Sequence, residues 1–396
     1  MVQAAAEGKN PIFKTKVPIA KPLLPEIGDL AQELSDILQS GMLSKGTNLN
    51  RFEDEIAAHL GVEHAVAVSS CTTGLMLTYQ ACGLTGDVVV PSFTFMATVG
   101  ALRWAGLRPV FADVDAHTTN LDPIAAEAAI TAETQAIVAV HNSGNPAEID
   151  ALESVARKHG VRLIFDSAHG FGSLYQGQAL GSQGDAQVFS LSATKLLVAG
   201  EGGIVATNDD EIAARVRIGR EFGNRGDYDS VFPGINARMT EFSALLGRFG
   251  LRNLEASALH RNRIATLYRE KLRGLPGVRF QEVMEGNRSS FKDFSLIIDA
   301  DAFGLTRDEL SDALATENIE TRKYYDPPVH RQHAYKAFAR PGQQLPNTDL
   351  LASSIINLPM WSDMDASIVS GVCLAIEKAF ETGEVGCAEV RQEALV

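Results

Sequence analysis

Two kinds of hydrophobic pattern alternate along most of this chain. Between residues 64 and 207, short runs of consecutive apolar residues recur, and stretches with apolar residues at every third or fourth position separate most of them. Continuous apolar runs are typical of strands buried on both faces of a parallel sheet, and the longer spacing is typical of amphipathic helices. The pattern predicts strands at 64–69, 87–90, 109–112, 136–141, 161–165, 186–190 and 203–207, and helices at 73–82, 95–105, 123–130 and 149–159.

This alternation predicts the fold class, which is α/β with a mostly parallel, seven-stranded sheet covered by helices. Towards the C-terminus the pattern changes, and a smaller α+β lobe is expected there. The elements predicted outside the sheet are helices at 26–40, 49–60, 239–272, 306–317 and about 365–382, and a strand at 294–299. We expect three parts: an N-terminal arm at 1–25, a large domain at 26–250 and a small C-terminal domain at 251–396.

Composition and charge narrow the classes of function. The chain has 396 residues, 45% of them hydrophobic, and a formal net charge of −14. An acidic chain without dense Lys/Arg runs is not expected to bind nucleic acid. No apolar run approaches the ~20 residues of a membrane span, and the first ten residues do not resemble a signal peptide, so we expect a cytoplasmic protein that does not bind membranes. The four cysteines lack CxxC spacing and predict neither a zinc site nor a disulfide framework.

The most informative residues are an acid and a lysine that follow two of the predicted strands. Asp166 ends the run VRLIF, and Lys195 follows the run AQVFSLS. Ligand sites in parallel sheets lie at the carboxyl ends of strands. A lysine that can form a Schiff base with an aldehyde, and an acid that can pair with a protonated pyridine nitrogen, are what pyridoxal 5′-phosphate (PLP) chemistry requires. Alone, Lys195 would be a surface residue and Asp166 a helix cap or turn residue.

The turn SSCTTG after the first predicted strand is a candidate site for the cofactor phosphate. Backbone N–H groups at a helix N-terminus, together with hydroxyl groups, bind anions. Ser70, Cys71 and Thr72 occupy this turn, and Ser190 could supply a further hydroxyl. The alternative is ordinary helix capping.

Further candidates surround the predicted cofactor ring. Ala168 would pack behind the ring, and His169 could donate to its phenolic oxygen, although a structural histidine is the simpler alternative. Phe93, in PSFTF, could stack on the ring, although a lone phenylalanine is by default a core residue.

Asn236 and Arg238, in PGINARMTE, are candidates for a phosphate contact and an anion contact. Their alternative is a loop that leads into a helix. His330 and His333 lack the acidic or cysteine neighbours of a metal site, so no metal is expected.

Taken together, these segments resemble the DegT/DnrJ/EryC1/StrS family of PLP-dependent sugar aminotransferases. The resemblance covers about residues 36–380 and is specific because many motifs occur in the same order. The motifs are SGMLSKG, VSSCTTGL, VPSFTFMAT, PVFADVD, NLDP, FDSAHGFG, GDAQVFSLSATK, GEGGIVATND, GINARMTE and TRKYYDPPVH. Within the family, the chain looks closest to the branch that aminates carbon 4 of a dTDP-linked 4-keto-6-deoxyhexose.

The resemblance implies fold-type I of the PLP enzymes and a homodimer whose active sites lie at the subunit interface. It implies that Lys195 is the Schiff-base lysine, that Asp166 is the pyridine acid and that Asn236 reaches the partner's cofactor phosphate. His330 would lie near the site. Lys45, in SGMLSKG, would contact substrate, as would Arg238.

The implied reaction is a ping-pong transfer of an amino group from L-glutamate to a keto sugar nucleotide in deoxyamino sugar biosynthesis. Two alternatives stay open at this point. One is amination of a free cyclitol or amino-sugar ketone, and the other is a regulatory protein that binds PLP without turnover.

Overall fold

The computed structural model describes residues 10–393, with side chains for residues 10–383. Residues 1–9 of the predicted arm and residues 394–396 of the predicted small domain lie outside this range. The helices are α1 Ile27–Ser40, α2 Thr47–Leu60, α3 Cys71–Ala81, α4 Met96–Trp104, α5 Pro123–Ala129, α6 Ile149–His159, α7 Asp210–Gly219, α8 Glu241–Arg252, α9 Leu254–Leu272, α10 Ala300–Phe303, α11 Arg307–Thr316, α12 Pro346–Ser354 and α13 Ala366–Glu393.

The strands are β1 His64–Val68, β2 Asp87–Pro91, β3 Arg108–Ala112, β4 Thr134–Val140, β5 Arg162–Asp166, β6 Leu174–Tyr175, β7 Gln178–Ala179, β8 Ala186–Ser190, β9 Gly203–Thr207, β10 Val278–Phe280, β11 Phe294–Ile298 and β12 Ile355–Leu358. Seven of them form the main sheet in the order β1-β9-β8-β5-β4-β2-β3. Within this sheet β9 runs antiparallel to both of its neighbours, and the other pairs are parallel. The predicted fold class is therefore confirmed.

Both faces of the main sheet are buried, which explains why its strands are apolar throughout. Neighbouring residues in a strand point to opposite faces. In β1, Ala65 and Ala67 pack in the cluster that includes residues of α2, α5 and α6, while Val66 and Val68 pack in the cluster formed with α3, α4 and α7. The sheet is thus the middle layer of a three-layer sandwich, and the carboxyl ends of its parallel strands face one edge.

The C-terminal part of the chain forms a second lobe around the antiparallel sheet β10-β11-β12. Its core contains residues of α9, α11 and α13, and Val17 from the N-terminal arm joins it. The arm is further fixed by a backbone bridge between Val17 and Ile319. The domain boundaries given above stay a prediction.

The long helix predicted at 239–272 is wrong in one respect, because the structure has two helices there. The chain breaks at Asn253, whose side-chain amide donates to the carbonyl of Phe249 at 3.0 Å while its backbone N–H bonds to Gly250 instead. A side chain that takes the place of a backbone donor interrupts a helix. The sequence pattern did not predict the strands β6, β7, β10 and β12 or the helices α7, α10 and α12. Across residues 10–393, no helix combines the length and the apolar character that a membrane span requires.

Candidate active site

A cavity of about 290 Å³ opens at the carboxyl ends of the parallel strands. Segments that follow β1, β2, β5 and β8 form its walls, and Tyr325 contributes from the second lobe. The residues predicted from the sequence that line it are Ser70, Cys71, Thr72, Asp166, Ala168, His169, Ser190 and Lys195. Residues separated by more than 100 positions in the chain are thus brought together by the sheet.

Asp166 is the last residue of β5, and only 5% of it is exposed. Its Oδ2 accepts a hydrogen bond from Thr98 Oγ1 at 2.8 Å, and its Oδ1 accepts one from the Ala168 backbone at 3.1 Å. Burial raises the pKa of this carboxyl group, and the hydrogen bonds from Thr98 and Ala168 act against that rise. A buried carboxylate of this kind is stabilised by a cation that enters the cavity.

Lys195 follows β8 in a tight turn, where its backbone N–H donates to Ser192 at 3.0 Å. Residues 196–199 behind it are buried. Burial lowers the pKa of the Lys195 amine to about 8, Lys292 lowers it further, and Asp293 and Asp166 oppose this shift. A larger fraction of this amine is therefore neutral at physiological pH than for an exposed lysine, as a nucleophilic amine requires.

The turn between β1 and α3 presents a helix N-terminus to the cavity. Ser70 caps α3 by accepting from the backbone of Thr73, whose hydroxyl in turn accepts from the Ser70 backbone. The backbone of β9 passes very close to this turn, since a side chain on Gly203 would meet the Cys71 nitrogen at 2.6 Å. The first N–H groups of α3 and the hydroxyl groups of Thr72 and Ser190 lie together at the cavity, where they can bind an anion.

His169 also lines the cavity, and its surroundings favour the neutral ring. Burial lowers its pKa well below the ordinary value, and Lys195 and Lys292 add to that effect. Its Nδ1 is buried without a hydrogen-bond partner among the residues that the structure describes. An unsatisfied buried nitrogen is costly, and a polar group of a ligand can satisfy it.

These features fit PLP. The cavity offers an amine for the aldehyde, a buried carboxylate for the pyridine nitrogen and an anion-binding helix N-terminus for the phosphate. Its volume is close to the ~300 Å³ at which small-molecule sites begin.

Phe93 does not line the cavity, so this part of the prediction is corrected. It is 1% exposed and packs with Val114, Ile297 and other residues in a small core cluster. Its ring contacts Tyr325 edge-to-face at 5.5 Å. Phe95, two positions later and 50% exposed, is the phenylalanine that lines the cavity. The motif PSFTF contains both phenylalanines, and both follow the same strand, so their position in the sequence did not show which one lines the cavity.

Three predicted ligand-binding residues lie together at the surface and do not line this cavity. Glu221 forms ion pairs with two of them: its Oε2 lies 2.9 Å from Lys45 Nζ and 3.7 Å from a terminal nitrogen of Arg238. Arg238 also donates to the side chain of Asn236 at 3.1 Å. Lys45 lines a separate cleft of about 570 Å³ beside α1 and α2. Within one subunit, therefore, these residues have no contact with the cavity.

His330 is likewise not part of the cavity wall. Its Nδ1 lies 2.6 Å from Ser92 Oγ, and its Nε2 lies 3.6 Å from Asp349. Burial lowers its pKa. In the part of the chain whose side chains are described, His, Cys, Asp and Glu residues form no group suited to a metal ion.

Sequence reasoning missed several residues of the cavity wall. They are Thr94, Phe95, Thr98, Ser192, Glu201 and Tyr325. Thr98 gives a weak signal, because it is a polar residue on the buried face of α4. Tyr325 belongs to the distant second lobe, and no local pattern connects it to the sheet.

Known proteins resemble this chain over almost its full length. A sequence profile for the DegT/DnrJ/EryC1/StrS aminotransferase family matches residues 26–377. The spore coat polysaccharide biosynthesis protein SpsC of Bacillus subtilis (strain 168) is 35% identical over 369 residues, which cover 89% of this chain and 95% of SpsC. The dTDP-4-amino-4,6-dideoxy-D-glucose transaminase of Escherichia coli is 30% identical, with 89% and 96% covered.

A solved structure is also similar to this chain in fold and sequence. The structure of DesI in the presence of its TDP-sugar product superimposes with a TM-score of 0.91 and 37% identity, and the match covers 97% of this chain and 98% of DesI. The resemblance inferred from the motifs is confirmed. The chain belongs to the DegT/DnrJ/EryC1/StrS family of PLP-dependent sugar aminotransferases.

Proposed function

We propose that the protein transfers an amino group from L-glutamate to a dTDP-4-keto-6-deoxyhexose by a ping-pong mechanism and yields the 4-amino sugar. The observation that carries this proposal is the meeting of Lys195 and Asp166 at one cavity beside a helix N-terminus. The choice of acceptor is supported by two relatives, one named as a dTDP-4-amino-4,6-dideoxy-D-glucose transaminase and one solved with its TDP-sugar product.

In the proposed mechanism, the predicted residues that line the cavity hold the cofactor and move one proton. Bound PLP would draw electrons from the amino-bearing carbon of the substrate and so make its proton acidic. Lys195 would hold the cofactor aldehyde, and its neutral amine would take up that proton. Asp166 would hold the pyridine nitrogen in its protonated state, and His169 would donate to the phenolic oxygen. The α3 N-terminus, Thr72 and Ser190 would hold the phosphate.

A second cleft beside the cavity offers room for the acceptor. It has a volume of about 610 Å³ and shares Phe95 and Tyr325 with the cavity. Tyr324 and the cationic side chain of Lys323 also line it. Aromatic faces suit a nucleotide base and cations suit a diphosphate, so the nucleotide half of the substrate is expected here.

We also propose a homodimer with shared active sites. Large apolar side chains are exposed on neighbouring segments around Glu221, and an exposed apolar surface of this kind favours association. These side chains are Leu38, Met42, Leu43, Phe222, Tyr228, Val231 and Phe242. Asn236, exposed on the same side, would reach the cofactor phosphate of the partner subunit.

The first test follows the visible absorbance of PLP-loaded protein as L-glutamate is added. We expect the spectrum to change from the aldehyde form of the cofactor to its amine form, with release of 2-oxoglutarate. The Lys195→Ala variant, with an unchanged melting temperature, should show no such change. An unchanged wild-type spectrum would contradict L-glutamate as the donor.

The second test identifies the acceptor. The amine form is mixed with a dTDP-linked 4-keto-6-deoxyhexose, with the same sugar lacking the nucleotide, and with a free cyclitol ketone. We expect amination of the dTDP-linked sugar only. Faster amination of a free ketone would favour the cyclitol or amino-sugar alternative.

A further inference from the structure

The second lobe contributes a buried ion pair to the neighbourhood of the cavity. Lys292 Nζ lies 2.8 Å from Asp293 Oδ1, and the two side chains are only 8% and 5% exposed. Both residues directly precede β11. Burying two charges carries a desolvation cost that the attraction between them does not always offset, so a buried ion pair is rarely explained by stability alone. None of the roles proposed above accounts for this pair.

The segment that carries the pair is firmly held. Arg261, a fully buried residue of α9, donates to the carbonyls of Phe291 at 3.1 Å and Lys292 at 3.2 Å. The backbone N–H of Lys292 donates to the carbonyl of Ser143 at 2.9 Å. Bonds from both lobes therefore fix where the two charges lie.

The same segment touches the cavity wall. Ser290 Oγ donates to the carbonyl of His169 at 2.8 Å. Lys292 Nζ lies 5.3 Å from the centre of the Tyr324 ring, which lines the neighbouring cleft. The segment that carries the pair therefore contacts one residue of the cavity wall and one residue of the neighbouring cleft.

The charges of the pair act on Lys195 in opposite directions. Lys292 lowers the pKa of the Lys195 amine, whereas Asp293 raises it. Lys292 also lowers the pKa of His169. The other titratable groups that line the cavity with Lys195 are Cys71 of α3, Asp166 of β5, His169, Glu201 and Tyr325.

We propose that Lys292 and Asp293 are positioning residues of the active site, a buried pair of opposite charges that sets the electrostatic environment of the Lys195 amine. The proposal rests on the proposed role of Lys195. Lys292 repels a proton from Lys195, and Asp293 neutralises Lys292 so that it can stay buried. The second lobe thereby acts on a lysine of the first lobe.

The test measures the protonation of Lys195 without cofactor or turnover. Cofactor-free protein is labelled with acetic anhydride at a series of pH values, and mass spectrometry gives the labelling rate of Lys195. The Lys292→Met variant should label more slowly than wild type near neutral pH, because its Lys195 holds a proton more tightly. Asp293→Asn should label faster. A change of one pKa unit alters the rate about tenfold below the pKa.

Opposite changes in the labelling rate support the proposal. A merely structural role of the pair would change the rate in the same direction in both single variants. If a single variant does not fold, the Lys292→Met/Asp293→Asn double variant replaces it, since no unpaired charge remains. Its Lys195 should label more slowly than wild type, because Lys292 has the larger effect. Lys158→Met, which removes an exposed ion pair with Glu127, is the control and should not change the rate.

Equal rates in all variants, or changes in one direction for both single variants, would overturn the proposal. Because the labelling needs neither PLP nor substrate, this result is independent of the spectral test of the proposed function.

Discussion

At the scale of single residues, the proposed contact of Asp166 with a pyridine nitrogen depends on the charge state of its carboxyl group. Burial disfavours the carboxylate, and Thr98 is the side chain that most strongly favours it. Thr98 itself is fully buried and shares a hydrogen bond of 2.9 Å with Thr94. This short chain of hydroxyl groups fixes the carboxylate before any ligand arrives.

Replacing Thr98 with valine should weaken PLP binding about 10- to 100-fold, because a hydrogen bond to a charged group contributes ~1.5–3 kcal/mol. The hydrogen bond lowers the pKa of Asp166, so its loss raises that pKa. As the pH is lowered, the affinity for PLP should therefore begin to fall at a higher pH in the variant than in wild type. Absorbance titrations of cofactor-free protein with PLP measure this.

Thr78→Val is the matched control for that titration. Thr78 is equally buried, but its hydroxyl donates to Gly74 within α3. Equal affinities of the two variants would show that the contact with Asp166 is unimportant.

The two phenylalanines of PSFTF give a second prediction. Phe93→Ala should lower the free energy of unfolding by ~3–5 kcal/mol, because a buried ring is lost. Phe95→Ala should leave stability within ~0.5 kcal/mol, since the ring is half exposed, but should weaken PLP binding about tenfold. Denaturant unfolding and PLP titration of both variants check this, and a reversed pattern would restore Phe93 as the stacking ring.

At the scale of secondary-structure elements, the seven strands of the main sheet could be predicted because each is apolar on both faces. Several of the elements that were missed lack this signal, although the strand β12, a buried run with the sequence IINL, has it and was still missed. The β6–β7 hairpin has two residues in each strand, and the break at Asn253 depends on one side chain. Likewise, Lys195 and Asp166 lie at the ends of apolar runs and could be found, whereas only tertiary packing brings Tyr325 to the cavity and Lys292 near it.

The start of α2 depends on a residue from another helix. Glu241, the first residue of α8 and 2% exposed, accepts hydrogen bonds from the backbone N–H groups of Gly46, Asn48 and Leu49 at 2.8–3.0 Å. This carboxylate replaces the cap that α2 lacks in its own sequence.

Glu241→Gln should therefore lower the free energy of unfolding by ~1–3 kcal/mol, because an amide can accept fewer of these bonds. Glu255→Gln is the control, since the Glu255 side chain is 61% exposed and its ion pair with Arg288 should contribute less than ~1 kcal/mol. Denaturant titrations of both variants measure the difference, and equal losses would contradict the capping role.

At the scale of the whole molecule, the proposed dimer makes the active site a property of two subunits. Mixing Lys195→Ala with Asn236→Ala should form heterodimers in which one of the two sites is intact. With equal mixing and full exchange, about one quarter of wild-type activity is expected. Native mass spectrometry verifies exchange. No recovery despite exchange, with both parents impaired, would contradict the shared site.

The cavity wall extends along the chain from Ser70 to Tyr325, and the ion pair behind it belongs to the second lobe. During synthesis Lys195 leaves the ribosome well before Tyr325 does. A nascent chain thus carries the reactive lysine while one wall of its pocket is still missing. We therefore expect stable retention of cofactor only after both lobes have folded, so that the rate of cofactor uptake during refolding should report when the two lobes join.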